Sequence, residues 1–167
     1  MPIELRDARP DDLAAIFAIY NDEVVSGTAT FDTEPRVRGR DDAWLTERDA
    51  ARHPVIVAED GRRVVGWASL SAWSPRGGYD RTAEESVYVH ASRRGEGIGG
   101  LLLTALVERA RDAELGVVVA RIVAAHPASI RLHRSVGFAS IGTMRRCGEK
   151  FGRVLDVELM DLQLDER

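Results

Sequence analysis

The chain has 167 residues, of which 44% are hydrophobic, and a formal net charge of −4. That is the size of one ordinary domain, expected to span 1–167 and long enough to bury a core without covalent staples. The acidic balance argues against a nucleic-acid surface, which draws most of its affinity from neutralised phosphates; a single cysteine, Cys147, excludes an intrachain disulfide framework; and no apolar run approaches the roughly 20 residues that span a bilayer.

The polar start Met1-Pro2-Ile3-Glu4-Leu5-Arg6 lacks the pattern of a secretory signal, so a soluble, cytoplasmic protein is expected. Residues 3–6 read as a short first strand. Pro10, Asp11 and Asp12 open a helix whose N-terminal charge suits the macrodipole; Leu13, Ile16, Phe17, Tyr20 and Val24 form its apolar face, and Gly27 ends it. A second helix is predicted over 41–51, where Ala43-Trp44-Leu45 and Ala50-Ala51 alternate with charged positions. Residues 54–59 and 64–70 read as strands joined by Asp60-Gly61-Arg62-Arg63, with Asp-Gly as the turn signal. A turn-rich stretch over 74–81 precedes a central strand over 83–90. From Ile98 onward, Leu102, Leu106, Ala110 and Ala113 recur at helical spacing, with Gly116 as the stop. Residues 117–123 are nearly all apolar, as in a strand buried on both faces. A short helix over 127–135 and a hairpin of 138–146 with 154–162 complete the chain. Trp44, Trp67 and Trp73 read as packing residues, with Trp73 the one expected to reach a pocket.

The most informative junction is Val87-Tyr88-Val89, followed through His90-Ala91-Ser92 by Arg93-Arg94-Gly95-Glu96-Gly97-Ile98-Gly99-Gly100. Glycines let a ligand approach the backbone closely, the first N–H groups of a helix have no intrahelical acceptors, and the macrodipole places positive potential there. A pyrophosphate meets all three conditions. Gly95, Gly97 and Gly100 also spell G-x-G-x-x-G, but a dinucleotide site should open a βαβ unit, whereas this loop lies past mid-chain with too little sequence behind it for a doubly wound sheet. No Gly-Lys-Ser/Thr follows, so it is not a P-loop.

Arg94-x-x-Gly97-x-Gly99 resembles the Arg/Gln-x-x-Gly-x-Gly/Ala signature of the GNAT N-acetyltransferase superfamily. Downstream, Leu132-His133-Arg134-Ser135-Val136-Gly137-Phe138 resembles that superfamily's Leu-Tyr-x-x-x-Gly-Phe, with histidine at the tyrosine position. Ile19-Tyr20-Asn21, residues 28–35, Thr82-x-Glu84-x-Ser86-Val87-Tyr88-Val89, residues 129–133 and Lys150-Phe151-Gly152 are similar to the branch containing phosphinothricin and methionine sulfoximine or sulfone acetyltransferases. The resemblance implies an α/β protein of GNAT fold: a central mixed, mostly antiparallel sheet of about six or seven strands, helices on both faces, and a splay between the fourth and fifth strands. It implies acetyl-CoA as acyl donor, a small-molecule amine as acceptor, and a homodimer. It lays the pantetheine arm along Val87, Tyr88 and Val89, where an N–H near Val89 polarises the thioester carbonyl. It places the pyrophosphate on Arg94, Gly95, Glu96, Gly97, Ile98, Gly99 and Gly100, with Arg93 a solvated flank. His126 stands where relatives carry an asparagine that contacts coenzyme A.

Strand alternation puts Glu84, Ser86 and Tyr88 on one face and Glu85, Val87 and Val89 on the other, so one glutamate is expected to point at the acceptor. The family pattern places its glutamate at Glu84, expected as base or as anchor for the substrate ammonium. His133 occupies the position of a proton donor to the leaving thiolate in related enzymes, and histidine can give or take a proton near neutral pH. Ser74, Pro75, Arg76 and Tyr79 resemble the branch's acceptor segment, with Arg76 suited to a substrate carboxylate and Ser74 where other members have arginine. Glu85, Ser86, Phe31 and Phe151 complete the expected acceptor pocket. Neutralising an α-amine of pKa about 8 at pH 7 costs only ~1.4 kcal/mol, against ~4.6 for a lysine, which favours a free amino acid over a protein lysine. His53, His90 and His126 show no metal-ligand spacing, and no metal is expected. A non-catalytic acyl-CoA sensor, an enzyme acting on a protein N-terminus or lysine, and a nucleotide-binding dehydrogenase are the competing readings.

Overall fold

The computed structural model describes residues 2–165; residues 1 and 166–167, the ends of the expected 1–167 unit, lie outside the described residues. Seven strands, β1 (Glu4–Asp7), β2 (Val55–Asp60), β3 (Arg63–Ala72), β4 (Thr82–Val89), β5 (Val117–Val123), β6 (Ala139–Lys150) and β7 (Arg153–Gln163), lie in the order β1-β2-β3-β4-β5-β7-β6. All neighbours are antiparallel except β4 and β5, which run parallel. This is the mixed, mostly antiparallel sheet that the resemblance implied. The helices are α1 (Leu13–Ser26), α2 (Ala43–Thr46), α3 (Ile98–Asp112) and α4 (Pro127–Val136). Among the described residues, no helix is long and apolar enough to cross a membrane.

Alternation along the strands divides the interior into two cores. Ile56, Ala58, Ala68 and Leu70 join Leu102, Leu103 and Leu106 of α3 on one face, while Val55, Val57 and Trp67 join Leu13, Ile16, Phe17 and Tyr20 of α1 on the other. Each fully buried leucine contributes on the order of 2 kcal/mol by leaving water. Gly66 lets the start of α3 sit against β3 and β4: a Cβ there would stand 3.0 Å from Leu102 Cδ1 and 3.1 Å from the Tyr88 carbonyl.

Several local expectations are corrected. The helix predicted over 41–51 is only Ala43–Thr46, because Asp49 Oδ1 accepts from the N–H groups of Ala51 and Arg52, a local side-chain bond that competes with the helical ladder. The stop of α3 is not Gly116 but Glu114, left-handed at φ 56°, with Leu115 N–H returning to the Ala110 carbonyl at 3.1 Å in the manner of a Schellman cap. The β2–β3 turn has Gly61 and Arg62, both at positive φ, between the paired Asp60 and Arg63, so the Asp-Gly signal is displaced by one residue. The last hairpin extends to Lys150 and Arg153, which pair across Phe151 and Gly152. Phe151, at φ 53°, is thereby held at a turn tip, 57% exposed.

Candidate active site

The parallel pair is short. β4 and β5 register only at Thr82–Val117, Ala83–Val118 and Glu84–Val119, whereas β4 stays paired with β3 as far as Val89–Gly66 and β5 with β7 as far as Val123–Val157. Beyond Glu84 the two central strands therefore part, between the fourth and fifth strands as expected. His90 N–H donates to the Val65 carbonyl, and alternation along the strand then turns the N–H groups of Val87 and Val89 into the opening. The opening leads into a cavity of about 720 Å³, within the range of small-molecule sites.

At the end of β4 the chain makes a 3-10 turn, Ala91–Arg93, and enters α3 through Gly97, whose φ of 82° is left-handed. The Gly97 carbonyl accepts from Gly100 and Leu101, leaving the N–H groups of Ile98 and Gly99 outside the intrahelical ladder. An added Cβ at Gly95 or Gly97 would meet nothing within 4 Å, so these two serve backbone conformation and access, whereas one at Gly99 would stand 3.2 Å from Leu132 Cδ2. Glu96 pairs with Arg93 at 2.9 Å, and Arg93 also reaches Asp60 at 2.7 Å. Arg93 thus ties the loop to the β2–β3 turn instead of standing solvated. Arg94 reaches Glu23 at 2.7 Å and donates from Nε to the Val89 carbonyl at 3.1 Å. Its side chain faces the cavity.

Phe31, Glu84, Glu85, Ser86, Val87, Tyr88, Val89, Arg94, His126 and His133 all line this cavity. Both glutamates do so, contrary to the expectation that alternation admits only one: past the parting of the strands, the cavity reaches both faces of β4. Glu84 is held by Arg121 through two bonds, Nε to Oε1 at 2.5 Å and Nη2 to Oε2 at 2.8 Å. Glu85 is buried, and its Oε1 lies 3.0 Å from His133 Nε2 while its Oε2 has no hydrogen-bond partner among the described residues. His133 Nδ1 stands 2.8 Å from the Ser129 carbonyl, which can only accept. Nδ1 therefore carries a proton, and a second proton sits between Nε2 and Glu85.

Burial works against a charged His133, but the Glu85 hydrogen bond, the Glu85 charge and the Ser129 carbonyl outweigh it and raise its pKa. With the folded value above the unfolded one, the linked stability is complete below about pH 6.5 and is lost as pH rises through the folded value. The stability difference in urea between wild type and a Glu85→Leu/His133→Leu variant should therefore shrink from about pH 6 to about pH 9; a constant difference would contradict the assignment.

At the other end of the cavity Tyr88 stacks on Trp67 at 4.9 Å and meets the edge of Tyr20 at 5.1 Å. Tyr20 Oη contacts Thr30 Oγ1 at 2.8 Å and donates to Asp32 Oδ2 at 2.6 Å. Burial and the Asp32 bond push the Tyr20 phenol up to about 12; burial and the neighbouring Tyr20 push Tyr88 higher still. Both stay neutral hydroxyls at physiological pH.

Other expected acceptor residues are not brought here. Pro75, Arg76 and Tyr79 are exposed and Ser74 is half-buried on the irregular segment around the 3-10 turn Gly77–Tyr79; none of the four lines the cavity, and neither does Phe151. Trp73 is covered by Arg121 at 5.8 Å. His126 Nε2 is 2.8 Å from Thr28 Oγ1. Sequence reasoning missed Tyr20 as a lining residue, and with it Glu23, Arg36, Arg121 and Cys147. The last four carry no motif; for Tyr20 the helical period signalled burial, and burial and lining coincide where a core ends in a cavity.

A parted parallel pair feeding a glycine-capped helix start defines a protein that binds an extended ligand with an anionic head. The chain belongs to the Acetyltransferase (GNAT) family, which residues 13–138 match. It is similar to the L-methionine sulfoximine/L-methionine sulfone acetyltransferase of Pseudomonas aeruginosa, 45% identical over 166 residues that cover 99% of this chain and 96% of that one. It is 36% identical to the phosphinothricin N-acetyltransferase of Alcaligenes faecalis over 96% of this chain and 82% of that one. The structure of yncA from Salmonella typhimurium with its cofactor acetyl-CoA superposes with a TM-score of 0.95 at 40% identity, covering 99% of this chain and 95% of that one.

Proposed function

We propose that this chain is an acetyl-CoA-dependent N-acetyltransferase for the α-amine of a small amino acid or analogue of the methionine sulfone, methionine sulfoximine or phosphinothricin type. The observation that carries the reading is the opening beyond Glu84, into which the Val87 and Val89 N–H groups turn, continuous with the Gly97 entry to α3. The relatives with matching names support the acceptor class. Among the described residues, no cluster of His, Cys, Asp and Glu is placed to hold a metal.

In this mechanism the loop from Arg94 to Gly100 holds the pyrophosphate through the free N–H groups of the helix start, and β4 holds the pantetheine amides. The neutral amine attacks the thioester carbon, so that a C–N bond forms and the carbonyl oxygen becomes an oxyanion facing the Val89 N–H. The surplus amine proton passes to water. The C–S bond then breaks, and the thiolate takes the proton shared by His133 and Glu85, which the medium restores. The products are the acetamide and the free thiol of coenzyme A. A thiol-release assay across amino acid analogues tests the reading; acetyl-CoA binding without release from any amine would leave a sensor in its place.

Glu84, both of whose oxygens are engaged by Arg121 yet keep spare lone pairs, acts as the ammonium anchor rather than as the base. Glu84→Gln should raise KM for the amine about tenfold or more with a smaller change in kcat; a fall confined to kcat would restore the base assignment.

The homodimer implied by the resemblance and the cytoplasmic location expected from the polar start go with this reading. The dimer is supported by the edge strand β6, where Ile141 is 58% exposed, an apolar side chain on an edge that a monomer would leave open. A monomer by sedimentation equilibrium would remove that part of the proposal.

A further inference from the structure

Arg36 is a cation built into the wall of the cavity without a salt-bridge partner among the described residues; Asp41, close enough to feel its charge, is bonded to Arg40. Its main chain is fixed by Asn21 of α1, whose Oδ1 accepts from Arg36 N–H at 2.8 Å and whose Nδ2 donates to the Arg36 carbonyl at 2.9 Å. Its guanidinium lies over two rings, 4.6 Å from the centroid of Tyr20 and 4.7 Å from that of Trp44. The faces of the fork are thus occupied, and its N–H edge is left to a ligand. Nη1 is buried and has no hydrogen-bond partner among the described residues. Among the described residues, no carboxylate lies within salt-bridge distance of this guanidinium, although Arg6, Arg94 and Arg121 each hold one at 2.5 to 2.7 Å.

Asp32, an acid on the same cavity wall, is turned to the Tyr20 hydroxyl. Arg48, over the Trp44 ring at 5.1 Å, spends its donors on the Leu70 and His53 carbonyls and on Ser71 Oγ. Burial, and then the Arg36 charge, lower the Arg48 pKa, so the two guanidiniums flanking Trp44 repel each other. A buried, unpartnered cationic donor is costly unless something satisfies it, and a planar anion held bidentately does so best.

The position of Arg36 says which anion. It shares the cavity with Ser86, Val87 and Tyr88, and one ring, Tyr20, separates it from Tyr88 on the exposed run of β4. An anion there belongs to the acceptor rather than to the pyrophosphate, which the glycine loop receives. Glu84, at the start of the opening, supplies the opposite charge for an ammonium.

We propose that Arg36 binds the α-carboxylate of the acceptor, making the site selective for free α-amino acids over amidated or peptide-borne amines. The inference rests on the N-acetyltransferase reading and narrows its acceptor. Arg76, the residue expected for this task from the sequence, lies outside the cavity, and Arg36, on the segment between α1 and α2, takes its place.

The test compares methionine sulfone with its α-carboxamide, a pair in which the side chain is neutral and only the α-carboxylate changes. In wild type, kcat/KM for the amide should be lower by about 30-fold or more. Arg36→Met should bring the acid down to the level of the amide while changing the amide and acetyl-CoA binding by less than about threefold. Arg36→Lys, which keeps the charge but not the fork, should fall between and serves if the methionine variant melts. Equal use of acid and amide by wild type would overturn the proposal, as would an acid-to-amide ratio that Arg36→Met leaves unchanged, and the N-acetyltransferase reading would survive either result. Release of no coenzyme A from any free or amidated amino acid, with acetyl-CoA still bound, would instead remove that reading and this inference together.

Discussion

Replacing His133 with leucine should cut kcat by about 10²- to 10⁴-fold, the range of a lost general acid, and should also cost about 3–5 kcal/mol of stability. The second effect comes from the partner left behind. Among the described residues Glu85 Oε2 has no hydrogen bond and Oε1 has only His133 Nε2, and Glu85 is 7% exposed, so deleting the imidazole leaves a buried carboxylate without its partner. A Glu85→Leu/His133→Leu double variant should recover most of that stability, because two apolar groups of similar volume replace a pair whose desolvation offsets its attraction. It should not recover kcat. The two measurements separate a pair that merely packs from one that moves a proton: if the double variant regained both stability and turnover, the acid role of His133 would be lost. The edge-on contact of His133 with Phe138, 5.1 Å between ring centroids, explains why leucine rather than alanine is the informative change, since the ring's volume has to be kept.

Gly97→Val should weaken acetyl-CoA binding by about 100-fold or more while lowering the stability of the ligand-free protein by only about 1–3 kcal/mol. Gly97 holds φ at 82°, a region a β-branched residue adopts only under strain, and relief of that strain rotates the peptide that aims the Ile98 and Gly99 N–H groups. Because the site of a Gly97 Cβ is open, steric overlap within the protein contributes little, and the loss falls on the ligand. Asparagine tolerates the left-handed region, so Gly97→Asn should stay within about tenfold of wild type. Calorimetric titration with acetyl-CoA distinguishes the two, and wild-type affinity in the valine variant would show that the phosphate contact lies elsewhere.

Most elements were legible because their burial pattern repeats at a helical or strand period. Leu102, Leu106 and Ala110 announce α3, and the run of 117–123, apolar except for Arg121, coincides with β5. The loop from Arg94 to Gly100 was legible for a different reason: a left-handed entry to a helix demands particular residues at particular spacings. Where local chemistry competed, the reading failed. Asp49 caps its own backbone and ends α2 early, and Glu114 takes a conformation usually left to glycine because Leu115, 2% exposed, is anchored behind it.

The acceptor end was the least legible part. Phe151 and Arg76 sit in segments similar to the family's, yet turn geometry leaves the first at a hairpin tip and the second on an exposed loop. Arg36 and Arg121 belong to no motif and became visible only through what surrounds them.

From its sequence alone the chain determined the sheet, the helix start that accepts a phosphate, and the presence of Glu84, Glu85 and His133 on the elements that border the opening, because each follows from periodicity or from spacing along one segment. The tertiary structure alone decided that Glu85 would be the partner of His133, that Arg121 would hold Glu84, and that Arg36 would lie over the rings of Tyr20 and Trp44 with no salt bridge among the described residues. Those pairings join residues distant in the chain, and a charge is paired or left unpaired by where folding sets its neighbours.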